Sequence, residues 1–157
     1  MSDDYIAGIS PEEILKTAGD FIETASSPRS AMEGIVGLLK ASFPSYDWVG
    51  IYVLGEDNCL RLGPFRGEPS PHTEIPIDEG ICGAAASAKK TIIVDDVNAD
   101  QRYLACSLKT KSEIVVPIIK GEKVLGEIDI DSDKPGAFGL IDRNLLEEIA
   151  AKLAEFM

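Results

Sequence analysis

The chain has 157 residues, 45% hydrophobic and 27% charged, which suits a single domain (residues 1–157) with a real core. Its net charge of −12 argues against nucleic acid or an anionic membrane as a partner, because phosphate binding needs a basic surface. No apolar run approaches the roughly 18 residues of a membrane span. The start Met1-Ser2-Asp3-Asp4-Tyr5 lacks the basic and apolar regions of a signal peptide, so a cytoplasmic location is expected. Three cysteines without close spacing do not suggest a disulfide scaffold. Structural zinc is not expected either, with no Cys-x-x-Cys pair and His72 as the one histidine.

Ser10-Pro11-Glu12-Glu13 reads as a helix start, with Ser10 as N-cap, Pro11 at the first position and Glu13 closing a capping box. Ile14, Leu15, Ala18, Phe21 and Ile22 follow on one face. Ser26-Ser27-Pro28 breaks this helix, and a second is predicted over 28–41 with Met32, Ile35, Val36 and Leu39 as its apolar side. Residues 46–54 are aromatic and β-branched and predict a strand; 55–58 turn, and 59–65 return as a hairpin partner. A Pro- and Gly-containing loop over 66–73 leads to a short extended piece at 74–77. A small-residue helix is predicted at 81–88, a buried strand at 91–94, and a helical turn over 102–107. A second hairpin pairs 112–119 with 124–130, and a last amphipathic helix runs over 140–156. This order predicts an α+β fold, an antiparallel sheet of about six strands covered by helices.

The residues that could carry chemistry fall between Ile75 and Ser132. In Glu127-Ile128-Asp129-Ile130-Asp131 side chains alternate, so the three acids share one face of a strand. Such a face can be simply solvated. Yet Asp is a poor strand former, and two in one strand also suit the wall of a ligand cavity. Cys82 stands between Gly80 and Gly83 near a helix N-terminus, where backbone N–H groups favour a thiolate. Cys106 stands in a loop-like region. Either cysteine can equally be a small buried hydrophobe, and nearby carboxylates would disfavour a thiolate. His72, in a Pro-rich loop, reads as solvent-exposed. Trp48 and Tyr52 share a strand face across Gly50, as core residues or as the wall of a small-molecule pocket.

The sequence resembles the free methionine-(R)-sulfoxide reductases, a single-domain branch of the GAF fold. The resemblance rests on six motifs in order: Asp47-Trp48-Val49-Gly50-Ile51-Tyr52, Leu62-Gly63-Pro64-Phe65-Arg66-Gly67, Gly80-Ile81-Cys82-Gly83, Ala105-Cys106, Ser112-Glu113-Ile114-Val115-Val116-Pro117 and Asp129-Ile130-Asp131-Ser132. Any one is weak; all six together are specific. The resemblance implies a GAF-like sheet with the N- and C-terminal helices packed together, and thiol-dependent reduction of free L-methionine-(R)-sulfoxide to methionine.

In the family the cysteine matching Cys106 is the nucleophile; it attacks the sulfoxide sulfur and becomes a sulfenic acid as methionine leaves. A second cysteine condenses with it, and thioredoxin or another dithiol reduces the disulfide. The family's pocket aromatics match Trp48 and Tyr52, and its acidic ligands match Glu113, Asp129 and Asp131. No cofactor or metal is implied. One position departs from the pattern. The family's resolving cysteine stands three residues before the Ile-Pro of the extended piece, and here that residue is His72. Cys59 matches no family motif. The usual disulfide therefore cannot form, which leaves Cys82 as the replacement or an external thiol. The loop 66–73 and the segment 98–111 are the expected moving parts. The alternative function is a non-catalytic GAF module that binds or senses a small ligand. A third reading is a structural interaction domain whose terminal helices could form a homodimer.

Overall fold

The computed structural model describes residues 9–104 and 108–157. Four α-helices, α1 (Pro11–Thr24), α2 (Pro28–Ser42), α3 (Gly80–Ala88) and α4 (Leu140–Phe156), surround six strands. These are β1 (Trp48–Leu54), β2 (Cys59–Arg66), β3 (Glu74–Pro76), β4 (Ile92–Val94), β5 (Ser112–Lys120) and β6 (Lys123–Ser132). They form one antiparallel sheet in the order β3-β2-β1-β6-β5-β4. Strand alternation divides the apolar residues between its two faces. On one face Val49, Ile51, Ile114, Val116, Ile128 and Ile130 pack under α1, α2 and α4. On the other Tyr52, Leu60, Val94 and Val115 pack under α3, through Ile81, Cys82, Ala85 and Ala86. The predicted contact between the terminal helices is present: α1 lies against α4 as well as α2. Ser10 caps α1 with the full capping box read from the sequence.

Two features differ from expectation for physical reasons. Strand β1 starts at Trp48 rather than at residue 46. The Tyr46 backbone N–H instead closes a turn onto the Phe43 carbonyl at 3.0 Å, and its hydroxyl reaches into the core under α4. Strand β4 is half-buried at Ile92 and Ile93, not fully buried, because it is the sheet edge. Helix α4 runs over Leu140–Phe156 as expected; the Asp142 carboxylate accepts from the Gly139 N–H at 2.9 Å, which closes the first turn.

Asp142 also accepts a hydrogen bond from the Tyr46 hydroxyl at 2.5 Å, and both residues are fully buried. This pair ties the chain ahead of β1 to the start of α4. Tyr46→Phe removes the donor and leaves a buried carboxylate oxygen without a partner. A loss of about 1–3 kcal/mol in urea unfolding is expected; an unchanged midpoint would show that the pair does not hold α4 in place.

Candidate active site

The site grows from the central strand. Strand β6 lies between β1 and β5, pairing Trp48 with Asp131, Gly50 with Asp129, Tyr52 with Glu127, and Glu113 with Asp131. Paired residues point to the same side of a sheet. Trp48, Tyr52, Glu113, Glu127, Asp129 and Asp131 therefore share the face covered by α3. The solvated-face reading of the acidic strand is excluded: Glu127 is 0% exposed, Asp129 3%, Asp131 4% and Glu113 5%. Trp48 and Tyr52 are neighbours on this face, ring centroids 6.4 Å apart. Each is pinned by its polar end: Tyr52 donates to the His72 carbonyl at 2.8 Å, and Trp48 Nε1 to the Glu68 carbonyl at 2.9 Å.

Four carboxyls buried together cannot all ionise cheaply. Burial pushes the Glu113 carboxyl well above the usual range, and the neighbouring Asp129 and Asp131 push it further. Glu127 and Asp131 are raised well above theirs, again first by burial and then by Asp129. Asp129 is raised by burial too, but it accepts hydrogen bonds from Glu113 and Cys82, which favour its ionised form. Hydrogen bonds from Glu113 and Cys82 thus partly offset burial at Asp129, whereas every influence on Glu113 acts to keep its proton. Several oxygens remain unsatisfied: both of Glu127, Oδ1 of Asp129 and Oδ1 of Asp131 are buried without a partner among the described residues. The weak thiol donor of Cys82 is what faces Glu127.

Cys82 reaches this cluster from the first turn of α3. Gly80 takes a left-handed φ of 65°, and a Cβ there would meet the Leu104 side chain at 2.9 Å. A Cβ on Gly83 would meet the Pro76 carbonyl at 2.9 Å. The two glycines let α3 start tight against β3 and aim Cys82 inward. Of the readings left open for this residue, the buried thiol fits and the thiolate does not. Cys82 is buried, and burial followed by the charges of Asp129, Glu127, Glu113 and Asp131 raises its thiol well above the ordinary range. Desolvation and four acids outweigh one helix dipole, so Cys82 rests as a thiol and a hydrogen-bond donor.

Cys82, Tyr52, Glu113 and Asp129 enclose a cavity of about 20 Å³, with Ile75, Gly80, Ile81, Leu104 and His72 completing its wall. His72 is half-buried and part of this wall, not solvent-exposed as expected from its loop. The reason is the Tyr52 hydroxyl, which ties the His72 backbone to the sheet. A larger cleft of about 200 Å³ adjoins along the same strand face, lined by Trp48, Asp131, Asp47, Glu68, Lys109 and Thr110 among others. Asp129 thus faces the inner cavity and Asp131 the outer cleft.

The sequence reading of Cys106 lies outside the described residues, as does 105–107 of the predicted helical turn. Of that turn, Arg102 is described; its guanidinium pairs with Asp100 at 2.7 Å. Leu104 belongs to the cavity wall. Cys59 sits half-buried at the start of β2, outside both spaces. Glu127 was not among the expected site residues. Strand alternation placed it on the acid face, and its register opposite Tyr52, visible only in the fold, brings it to Cys82. The Cys82 sulfur and one carboxylate oxygen each of Glu113 and Asp129 lie within 4.8 Å of one another, a separation at which they could hold a metal ion.

The GAF domain family matches residues 29–155. The chain is 47% identical over 107 residues to the free methionine-R-sulfoxide reductase of Saccharomyces cerevisiae, an alignment spanning 66% of this chain and 59% of that protein. It is 40% identical to the solved structure of the type II free methionine-R-sulfoxide reductase of Thermoplasma acidophilum. There the match covers 88% of this chain and 94% of the other, with a TM-score of 0.79. The chain belongs to the free methionine-R-sulfoxide reductase family of GAF domains. The structure of the Neisseria meningitidis free methionine-R-sulfoxide reductase in complex with its substrate is also similar. It is 29% identical, covers 96% of this chain and 94% of that one, and has a TM-score of 0.89. The sheet and its four helices are those of the GAF fold, as expected from the motifs. No helix of the described residues is long and apolar enough to cross a membrane.

Proposed function

We propose that this protein reduces free L-methionine-(R)-sulfoxide to L-methionine, with Cys106 as the nucleophile. The observation that carries the reading is the buried acid face in a chain of this family: Glu113, Asp129 and Asp131 side by side, with an oxygen each of Asp129 and Asp131 unpartnered among the described residues. A free amino acid brings an α-ammonium group, which a residue within a peptide lacks. Asp129 and Asp131 pair with that cation, and this selects the free amino acid. Trp48 and Tyr52 pack against the thioether carbons. Glu113, holding a proton, donates it to the sulfoxide oxygen, which is otherwise a poor leaving group.

In the first half-reaction the Cys106 sulfur attacks the sulfoxide sulfur. Oxygen passes to Cys106 as a sulfenic acid, and methionine leaves with its sulfur reduced by two electrons. In the second, the Cys82 sulfur attacks the sulfenic sulfur; its proton passes by way of Asp129 to the departing hydroxyl, which leaves as water as the disulfide forms. Thioredoxin or another dithiol then reduces that disulfide, restoring two thiols. Leu104, two residues ahead of Cys106, lines the same cavity as Cys82, which supports this pairing. A cytoplasmic location suits the thiol chemistry, and a homodimer through the terminal helices is compatible with it.

The cavity of about 20 Å³ is far below the roughly 300 Å³ of an ordinary small-molecule pocket. Substrate binding therefore requires the wall to move. The loop carrying Glu68 to His72 contributes to both the cavity and the cleft, and it is the described segment best placed to open them together.

A dithiothreitol-supported assay on free methionine-(R)-sulfoxide tests the function. Methionine should appear from the R epimer, and neither the S epimer nor peptide-bound sulfoxide should turn over. Absence of methionine with retained sulfoxide binding would make the chain a ligand-binding module. His72→Cys probes the departure from the family pattern. The introduced thiol should form a bridge to Cys106 after one turnover, displacing the Cys82–Cys106 bridge in a non-reducing peptide map. An unchanged map would mean that position 72 does not reach the nucleophile.

A further inference from the structure

The donor atoms that face the inner cavity have a second chemical meaning. The Cys82 sulfur and an oxygen from each of Glu113 and Asp129 lie within 4.8 Å of one another, near enough that the three side chains could hold one metal ion. They come from three elements, α3, β5 and β6, so no sequence motif spans them. Asp129 is 3% exposed, lines the cavity, and its Oδ1 has no partner among the described residues. The enclosed volume of about 20 Å³ holds one water-sized body, for which roughly 10–15 Å³ suffices. In this closed form the cavity fits an ion and not an amino acid.

The geometry points to a divalent, thiol-seeking cation of the zinc class bound by Cys82, Glu113 and Asp129, closing the cavity against substrate. One thiolate and two carboxylates form a mixed soft and hard donor set, which suits zinc above magnesium or calcium. Three protein ligands leave the fourth tetrahedral position open. On binding, the Cys82 thiol and the Glu113 carboxyl give up their protons to solvent, and the cation supplies the positive charge that the acids around it lack. The metal would occupy the carboxylates assigned above to substrate and immobilise the proposed resolving thiol. That consequence rests on the proposed function; the metal site itself does not.

The test is a titration of the reduced protein with Zn²⁺ against a chromophoric chelator, followed by Co²⁺ as a spectroscopic probe. One equivalent of zinc is expected, with a single sulfur-to-cobalt charge-transfer band. Cys82→Ser should abolish the band and weaken zinc at least tenfold, with Asp129→Asn weakening it similarly. Cys59→Ser and Cys106→Ser should keep both signals. Far-UV circular dichroism establishes that each variant is folded. A band that survives Cys82→Ser, or one that is lost in Cys106→Ser, would move the site elsewhere and overturn the assignment, as would absence of binding. Free methionine-(R)-sulfoxide should raise the apparent Kd for zinc. If zinc binds as described but the sulfoxide neither competes nor is reduced, the proposed function falls and the metal site stands.

Discussion

Cys106→Ser should lower methionine formation from free methionine-(R)-sulfoxide by at least about a thousandfold. A serine hydroxyl is a far weaker nucleophile towards sulfur, and residual catalysis by the rest of a site does not replace the attacking atom. The loss should persist with dithiothreitol, thioredoxin or any other reductant, because the missing step precedes reduction. Cys82→Ser should behave differently. A small external thiol can resolve the sulfenic acid directly, so activity with dithiothreitol should survive while thioredoxin-supported turnover falls. Steady-state kinetics of the two variants with both reductants checks the division. Equal losses in both variants with both reductants would remove the distinction between attacking and resolving thiols.

The second large effect couples activity to stability through the buried acids. Glu113, Glu127, Asp129 and Asp131 all have folded-state values above those of ordinary carboxyls, with burial as the leading cause. The folded protein then binds more protons than the unfolded chain, so stability declines as pH rises. The contribution is fully present below the unfolded carboxyl range, near pH 4. It is lost progressively as pH climbs from there through the raised folded values. Glu113→Gln and Asp129→Asn remove a group that resists ionisation. At neutral pH each should stabilise the ligand-free protein by about 1–3 kcal/mol, an increase that shrinks towards pH 4. The same substitutions should impair function. Glu113→Gln should lower kcat by about a hundredfold if Glu113 donates the proton, whereas Asp129→Asn should act mainly on KM. Thermal melts at several pH values, with kinetics on the same samples, check both halves. Variants that were less stable at pH 7 and fully active would show that the acids serve the fold rather than the substrate.

Much of this was legible before the fold. The capping box at Ser10 and Glu13 and the hairpins about Gly55 and Gly121 are local patterns, and they appear where expected. Strand alternation placed Glu127, Asp129 and Asp131 on one face, but alternation cannot say which face is covered. The burial comes from α3, and α3 fits there because Gly80 and Gly83 permit close approach. The local reading of Cys82 set the helix terminus against nearby carboxylates, but that four acids from β5 and β6 reach it depends on the fold. His72 was misjudged for the same reason: a Pro-rich loop looks solvated until Tyr52, twenty residues earlier on another strand, bonds its carbonyl. Glu127 belonged to the right face, but its nearness to Cys82 depends on strand order. In each case the missing information was long-range pairing, which composition and spacing do not carry.

The central claim is tested most directly by a single turnover. Fully reduced protein is mixed with excess free methionine-(R)-sulfoxide in the absence of any reductant, quenched with an alkylating agent, and mapped by mass spectrometry. One methionine per chain should be released, with Cys106 unalkylated and bridged to Cys82, and with Cys59 still a free thiol. No methionine release, or oxidation at Cys59 with Cys106 alkylated, would contradict the assignment of Cys106 and its acidic cavity as the sulfoxide-reducing site.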